Sequence, residues 1–108
     1  MTNWKKLTES AGSTVKRGTL LRFTAGGAFE DRVVMMVCEA PNQMGRLGLM
    51  AVSGYKAGIN CYVVFPEHSG SDCISIQWLI DNWQMWVWPD GDVNEVEVRE
   101  PLNALEIS

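Results

Sequence analysis

The longest uncharged apolar stretch in the sequence is Val33 to Cys38, six residues between Arg32 and Glu39. A membrane-spanning helix needs about 18 or more such residues, so no spanning helix is expected. A short, β-branched-rich run fits a strand covered on both faces better than a helix, and Val33–Cys38 is the expected central strand. Other short runs surround it. After Gly18, Leu21 and Phe23 alternate with Leu20, Arg22 and Thr24, the pattern of a half-buried strand. Leu47–Val52 and Ile59–Phe65 flank a tip that carries Tyr55 and Lys56 between Gly54 and Gly58, which reads as a hairpin. Pro89-Asp90-Gly91-Asp92 is a turn leading into Val93–Glu100, where Val96 and Val98 face one way and Glu95, Glu97 and Arg99 the other, toward solvent.

One helix stands out. Ser75 is placed to cap a segment from Ile76 to about Trp83, with Ile76, Leu79, Ile80 and Trp83 as its apolar stripe. Met85–Trp88 then looks strand-like, with Trp86 and Trp88 on one face and Met85 and Val87 on the other. Asn3–Ser10 reads as a short helix or turn pinned by Trp4. With one good helix and short loops, sequential strands pair antiparallel. The expected fold is mainly β (α+β): a single domain over residues 1–108, built as a twisted antiparallel five- to six-stranded sheet or half-barrel with one short helix near residues 76–83. A chain of 108 residues buries enough surface to stand without disulfide or metal staples.

Several chemistries find no support. Lys5, Lys6, Glu9 and Lys16 interrupt the N-terminal segment, which has no apolar signal core, so a cytoplasmic location is expected. Cys38, Cys61 and Cys73 are odd in number and lie beside apolar or β-branched neighbours, which suits buried, reduced thiols. Their spacing leaves a Cys61–Cys73 disulfide open. The single histidine, His68, sits in a polar loop with Glu67, Ser69 and Asp72, but adjacency in a loop is not the rigid convergence of a triad. Cys61, His68 and Cys73 lack the tight ligand pairs of structural zinc sites. Gly26-Gly27 is followed by Phe29 and an acidic pair, and Gly45–Gly48 lacks a phosphate-loop ending. No catalytic residue, metal or cofactor is expected.

Charge is lopsided. Residues 1–56 hold eight basic and four acidic side chains, whereas residues 57–108 hold one basic side chain, Arg99, and nine acidic ones. An acidic half repels phosphate backbones and anionic lipid and speeds encounter with a cationic partner, so neither nucleic acid nor membrane is an expected ligand. Trp78, Trp83, Trp86 and Trp88, four of the five tryptophans, fall within eleven residues. Trp83 and at least one of Trp86 and Trp88 belong in the core. An indole left over beside an acidic strand has the composition of an interface anchor. The expected partner-facing residues are therefore Asp90, Asp92, Glu95, Glu97 and Glu100 with Trp86 or Trp88, and Tyr55 and Lys56 form a second candidate patch.

Gly18–Phe23, Phe29–Asp31, Cys38–Pro41, the Gly48–Gly58 segment with its Ser-Gly-Tyr-Lys-Ala-Gly tip, Trp78–Trp83 with Trp86 and Pro89, and Val96–Arg99 together resemble immunity protein family 45 of bacterial polymorphic toxin and contact-dependent growth inhibition systems. The similarity spans nearly the whole chain. It implies a small cytoplasmic protein that binds and neutralises the C-terminal domain of a cognate toxin, as a monomer on one toxin domain, with no catalytic residues of its own. The alternative is a non-catalytic β-domain that binds a small molecule in a tryptophan-lined pocket.

Overall fold

A computed structural model of the chain describes residues 4–24, 32–41, 45–53, 58, 61–66, 70, 72–89 and 91–100, with Cys61 and Tyr62 as backbone only. Its main sheet has six strands, all joined antiparallel: β1 (Lys5–Lys6), β3 (Leu20–Thr24), β4 (Arg32–Glu39), β5 (Leu47–Ala51), β6 (Cys61–Val64) and β8 (Glu97–Arg99), in the order β1-β8-β3-β4-β5-β6. β3 to β6 are a meander in chain order, and the last strand returns to pair with β3 and β1. Two further strands, β2 (Thr14–Lys16) and β7 (Cys73–Ser75), form a separate ribbon that runs directly into the helix α1 (Ile76–Trp86). The mainly β fold expected from the apolar runs is the one observed. β4 lies inside the sheet between β3 and β5, as its unbroken apolar composition requires.

Register separates the two faces of the sheet. Leu21 faces Met35, Phe23 faces Val33, and Val37 faces Leu49. With Phe65, these side chains form the covered face on which Ile76, Leu79 and Trp83 of α1 are packed. The opposite parity carries Leu20, Arg22, Val34, Met36, Cys38 and Met50, all half-buried. Gly48 sits on that parity at the β5–β6 pairing, where an added Cβ would meet the Val63 carbonyl oxygen. Any larger side chain there would force the two strands apart.

α1 begins as its sequence indicates and ends later. Ser75 is in extended conformation and its hydroxyl accepts from the Trp78 amide at 3.3 Å. The helix continues to Trp86, and the amides of Val87 and Trp88 both donate to the Trp83 carbonyl, at 2.8 and 3.1 Å. Met85–Trp88 is therefore not a strand, and Trp86 and Trp88 do not share a strand face. The physical reason is burial. Ile76, Leu79, Trp83 and Val87 recur at helical spacing and are all sealed in the core, and Pro89 stops the helix beyond them.

The N-terminal turn forms as expected but is pinned by a different residue, and the last strand is shorter than expected. Residues Leu7–Ser10 form a single 3₁₀ turn held by fully buried Leu7, whose amide donates to the Val96 carbonyl at 2.9 Å. Trp4, the expected pin, instead lies over the Arg22 guanidinium, 4.2 Å from its ring centroid. Residues Val93–Glu95 are a 3₁₀ turn capped by Asp92, so the last strand is only Glu97–Arg99. The Cys61–Cys73 disulfide that spacing left open does not form, since the Cys73 thiol is free.

Trp83 joins helix to sheet: it is 1% exposed, and its ring meets Phe23 edge-to-face with centroids 5.2 Å apart. Its Nε1 has no hydrogen-bond partner. Trp83→Ala is expected to cost about 3–5 kcal/mol of stability. Trp83→Phe is expected to cost markedly less, because it removes a donor that already lacks an acceptor. Denaturant unfolding of the two variants measures the difference.

Candidate functional site

The acidic residues singled out by sequence occupy different places. Asp92 and Glu95 are exposed on the 3₁₀ turn beside α1. The Asp92 carboxylate accepts from the Asn94 amide at 2.9 Å and from the Asn94 side chain at 3.0 Å, so it shapes the turn while staying exposed. Glu100 is exposed just after β8. Asp90, Tyr55 and Lys56 lie outside the described residues, as does His68.

Glu97 differs from its neighbours. It pairs with Arg22 across β8 and β3, on the sheet face turned away from α1. One of its carboxylate oxygens accepts from Arg22 Nε at 3.0 Å and Nη2 at 2.8 Å, with Arg32 a further 3.9 Å away. The guanidinium is thus clamped between the Trp4 ring and a carboxylate. Glu97 does not face open solvent as its alternation suggests. Its charge is engaged within the molecule, and its side chain is 30% exposed.

The tryptophans also divide. Trp83 is sealed, while Trp78, Trp86 and Trp88 are half-buried and packed against the core. Trp88 tilts against Phe23 with centroids 5.7 Å apart. Trp78 meets Phe65 edge-on at 5.6 Å and leans against Trp86 at 6.0 Å. On the solvent side of α1 lie Gln77, Asp81, Gln84 and Met85, all exposed. Gln77 donates to the Asp81 carboxylate at 2.9 Å, and Gln84 donates to the Gly91 carbonyl at 2.8 Å, which fixes the following turn to the helix. Among the described residues no basic side chain pairs with Asp81, Asp92 or Glu95.

Elsewhere, Lys16, Arg17, Glu39, Leu47 and Asp72 line an open groove of about 450 Å³. Arg17 and Glu39 approach within 3.8 Å across it. Among the described residues its walls are of mixed charge and carry no tryptophan, unlike the tryptophan-lined pocket of the small-molecule reading. Among the described residues no helix is long and apolar enough to cross a membrane, and no three His, Cys, Asp or Glu side chains converge as they would around a metal.

Carboxylates without cationic partners among the described residues, beside half-buried indoles, have the composition of a protein-binding surface. The family model described as immunity protein 45 matches residues 7–98. The chain belongs to this family. No curated protein and no solved structure matches it. Membership carries an immunity function in general, and immunity families are generally non-enzymatic. The match takes in every described strand of this family member from β2 to β7, the whole of α1 and the turn bearing Asp92 and Glu95.

The environments of Glu95 and Glu97 predict different outcomes for the same substitution. Glu97→Lys places a cation against Arg22 and Arg32 and is expected to lower the melting temperature. Glu95→Lys, on an exposed turn, is expected to leave it within a degree or so. A double-mutant cycle on Arg22 and Glu97 is expected to return about 1 kcal/mol of coupling.

Proposed function

We propose that this protein acts in the cytoplasm as a single folded domain that binds one cognate toxin domain and blocks its active site. The match to the immunity protein 45 family is the observation that carries this reading. The charge of the chain supports a more specific form of it: the toxin is a nuclease whose substrate groove is basic. Residues 57–98 contain no Lys or Arg at all, and Asp92 and Glu95 stand exposed without cationic partners among the described residues. Carboxylates laid into a groove built for phosphate make charge-assisted contacts and raise the association rate.

On this reading Asp90, Asp92, Glu95 and Glu100 supply the negative rim, and Trp86 and Trp88 the adjoining desolvated area. Tyr55 and Lys56 form a second patch outside it. Glu97 contributes through its clamp on Arg22, which holds the last strand to the sheet, more than through free charge. The protein transforms no molecule and needs no cofactor: it works by excluding substrate.

Co-expression with the C-terminal domain encoded by the adjacent upstream reading frame tests this. Wild-type protein is expected to restore growth and to form a one-to-one complex on size exclusion. The double variant Asp92→Lys/Glu95→Lys is expected to associate about tenfold more slowly at low salt, with a flatter salt dependence. Unprotected cells and separate elution of the two proteins would refute the immunity reading for this pair. Unchanged association kinetics would remove the acidic turn from the interface.

A further inference from the structure

α1 carries a second apolar stripe besides the one it buries. At about 100° per residue, Trp78 and Met85 lie roughly 20° apart around the helix axis, with Asp81 and Asn82 between them along it, while Trp86 lies about 80° from Trp78, on the margin toward the buried stripe. The buried stripe of Ile76, Leu79, Trp83 and Val87 lies on the opposite side. Met85 is 82% exposed; the other exposed large hydrophobic among the described residues, Val52, is only 38% exposed. An isolated exposed methionine is ordinary. Here it lies on the side of the helix that also carries Trp78, and the half-buried Trp78 and Trp86 indoles lean on each other at 6.0 Å.

The polar groups around this stripe are fixed and carry one sign of charge. Asn82 donates to the Trp78 carbonyl at 2.9 Å, and Gln84 ties the helix end to Gly91 at 2.8 Å, so the surface is held in place before any partner arrives. Among the described residues the Asp81 carboxylate is met by the neutral Gln77 amide, at 2.9 Å, and by no basic side chain. Asp92 and Glu95 follow on the turn that packs against the helix. Neither α1 nor that turn contains a Lys or Arg.

We propose that the outer stripe of α1, formed by Trp78, Asp81, Met85 and Trp86, is the anchor by which this protein docks into a cationic cleft on its toxin. This rests on the immunity reading and moves the centre of the interface from the acidic turn to the helix. Apolar side chains at i, i+7 and i+8 around a carboxylate form the pattern by which a helix seats itself in a groove. Met and Trp supply area that can be fully desolvated at the centre. Asp81, Asp92 and Glu95 match the cleft's charge and exclude clefts lined by carboxylates. Phe65 backs Trp78 from the sheet side, which gives the anchor a rigid base.

The test uses Met85→Lys and Asp81→Lys, with Thr24→Lys on the opposite face of the sheet as the control, all three sites being exposed. Each variant is titrated calorimetrically with the toxin domain from the adjacent reading frame, and its thermal melt is recorded. Met85→Lys is expected to raise Kd at least about tenfold and Asp81→Lys to slow association, while Thr24→Lys binds like wild type and the melts of the two helix variants stay at wild-type values. Peroxide oxidation of Met85, followed by mass spectrometry, is expected to slow in the complex. If both helix variants bind like wild type while wild type still protects cells, the stripe is not the anchor and the immunity reading survives. If wild type neither binds nor protects, both fall together.

Discussion

Trp83 is the side chain on which the architecture turns. It projects from the inner face of α1, is almost wholly sealed, and meets the Phe23 ring on β3 edge-to-face. That contact sets which side of the helix looks inward. Once Ile76, Leu79, Trp83 and Val87 are committed to the sheet, helical geometry turns Gln77, Asp81, Gln84 and Met85 outward and leaves Trp78 and Trp86 along the margin. The same buried contact that stabilises the fold therefore determines the surface offered to a partner.

The ends of the helix are fixed by different means. At its start, the β2–β7 ribbon delivers Ser75 in an extended conformation, and the hydroxyl caps the first turn. At its end, two amides converge on the Trp83 carbonyl, and Gln84 reaches across to the loop carrying Gly91. The short turn after it, capped by Asp92, brings the chain back to β8. The acidic residues of this region thus hold two roles: Asp92 organises backbone while remaining exposed, and Glu97 secures Arg22 on the far face of the sheet. A surface counted only by its charges would merge these roles, although they lie on different sides of the protein.

The strands of the meander were legible in the sequence because alternation and turn chemistry report directly on pairing. Leu21 and Phe23 face inward as their spacing indicates, and β4 is interior as its apolar run requires. The Ser75 cap was equally plain. The length of α1 was not, because Met85–Trp88 is apolar at every position and hides the helical period within it. The signal that could have revealed it is the spacing from Trp83 to Val87. β1, β2 and β7 were too short to leave a pattern, at two or three residues each. Met85 escaped notice as a surface residue because an exposed methionine and a buried one look alike in a sequence.

Composition alone determined that the second half of the chain is acidic, that its tryptophans are concentrated in one segment, and that the apolar runs are too short for anything but a small β-rich fold. These properties are local or additive, so they survive without coordinates. The tertiary structure decided which carboxylates stay free and which are spent on Arg22, and which indoles are sealed and which border solvent. Those outcomes depend on cross-strand register and on the rotation of one helix over a sheet. Both are set by contacts between residues distant in sequence, such as Arg22 with Glu97 and Phe23 with Trp83.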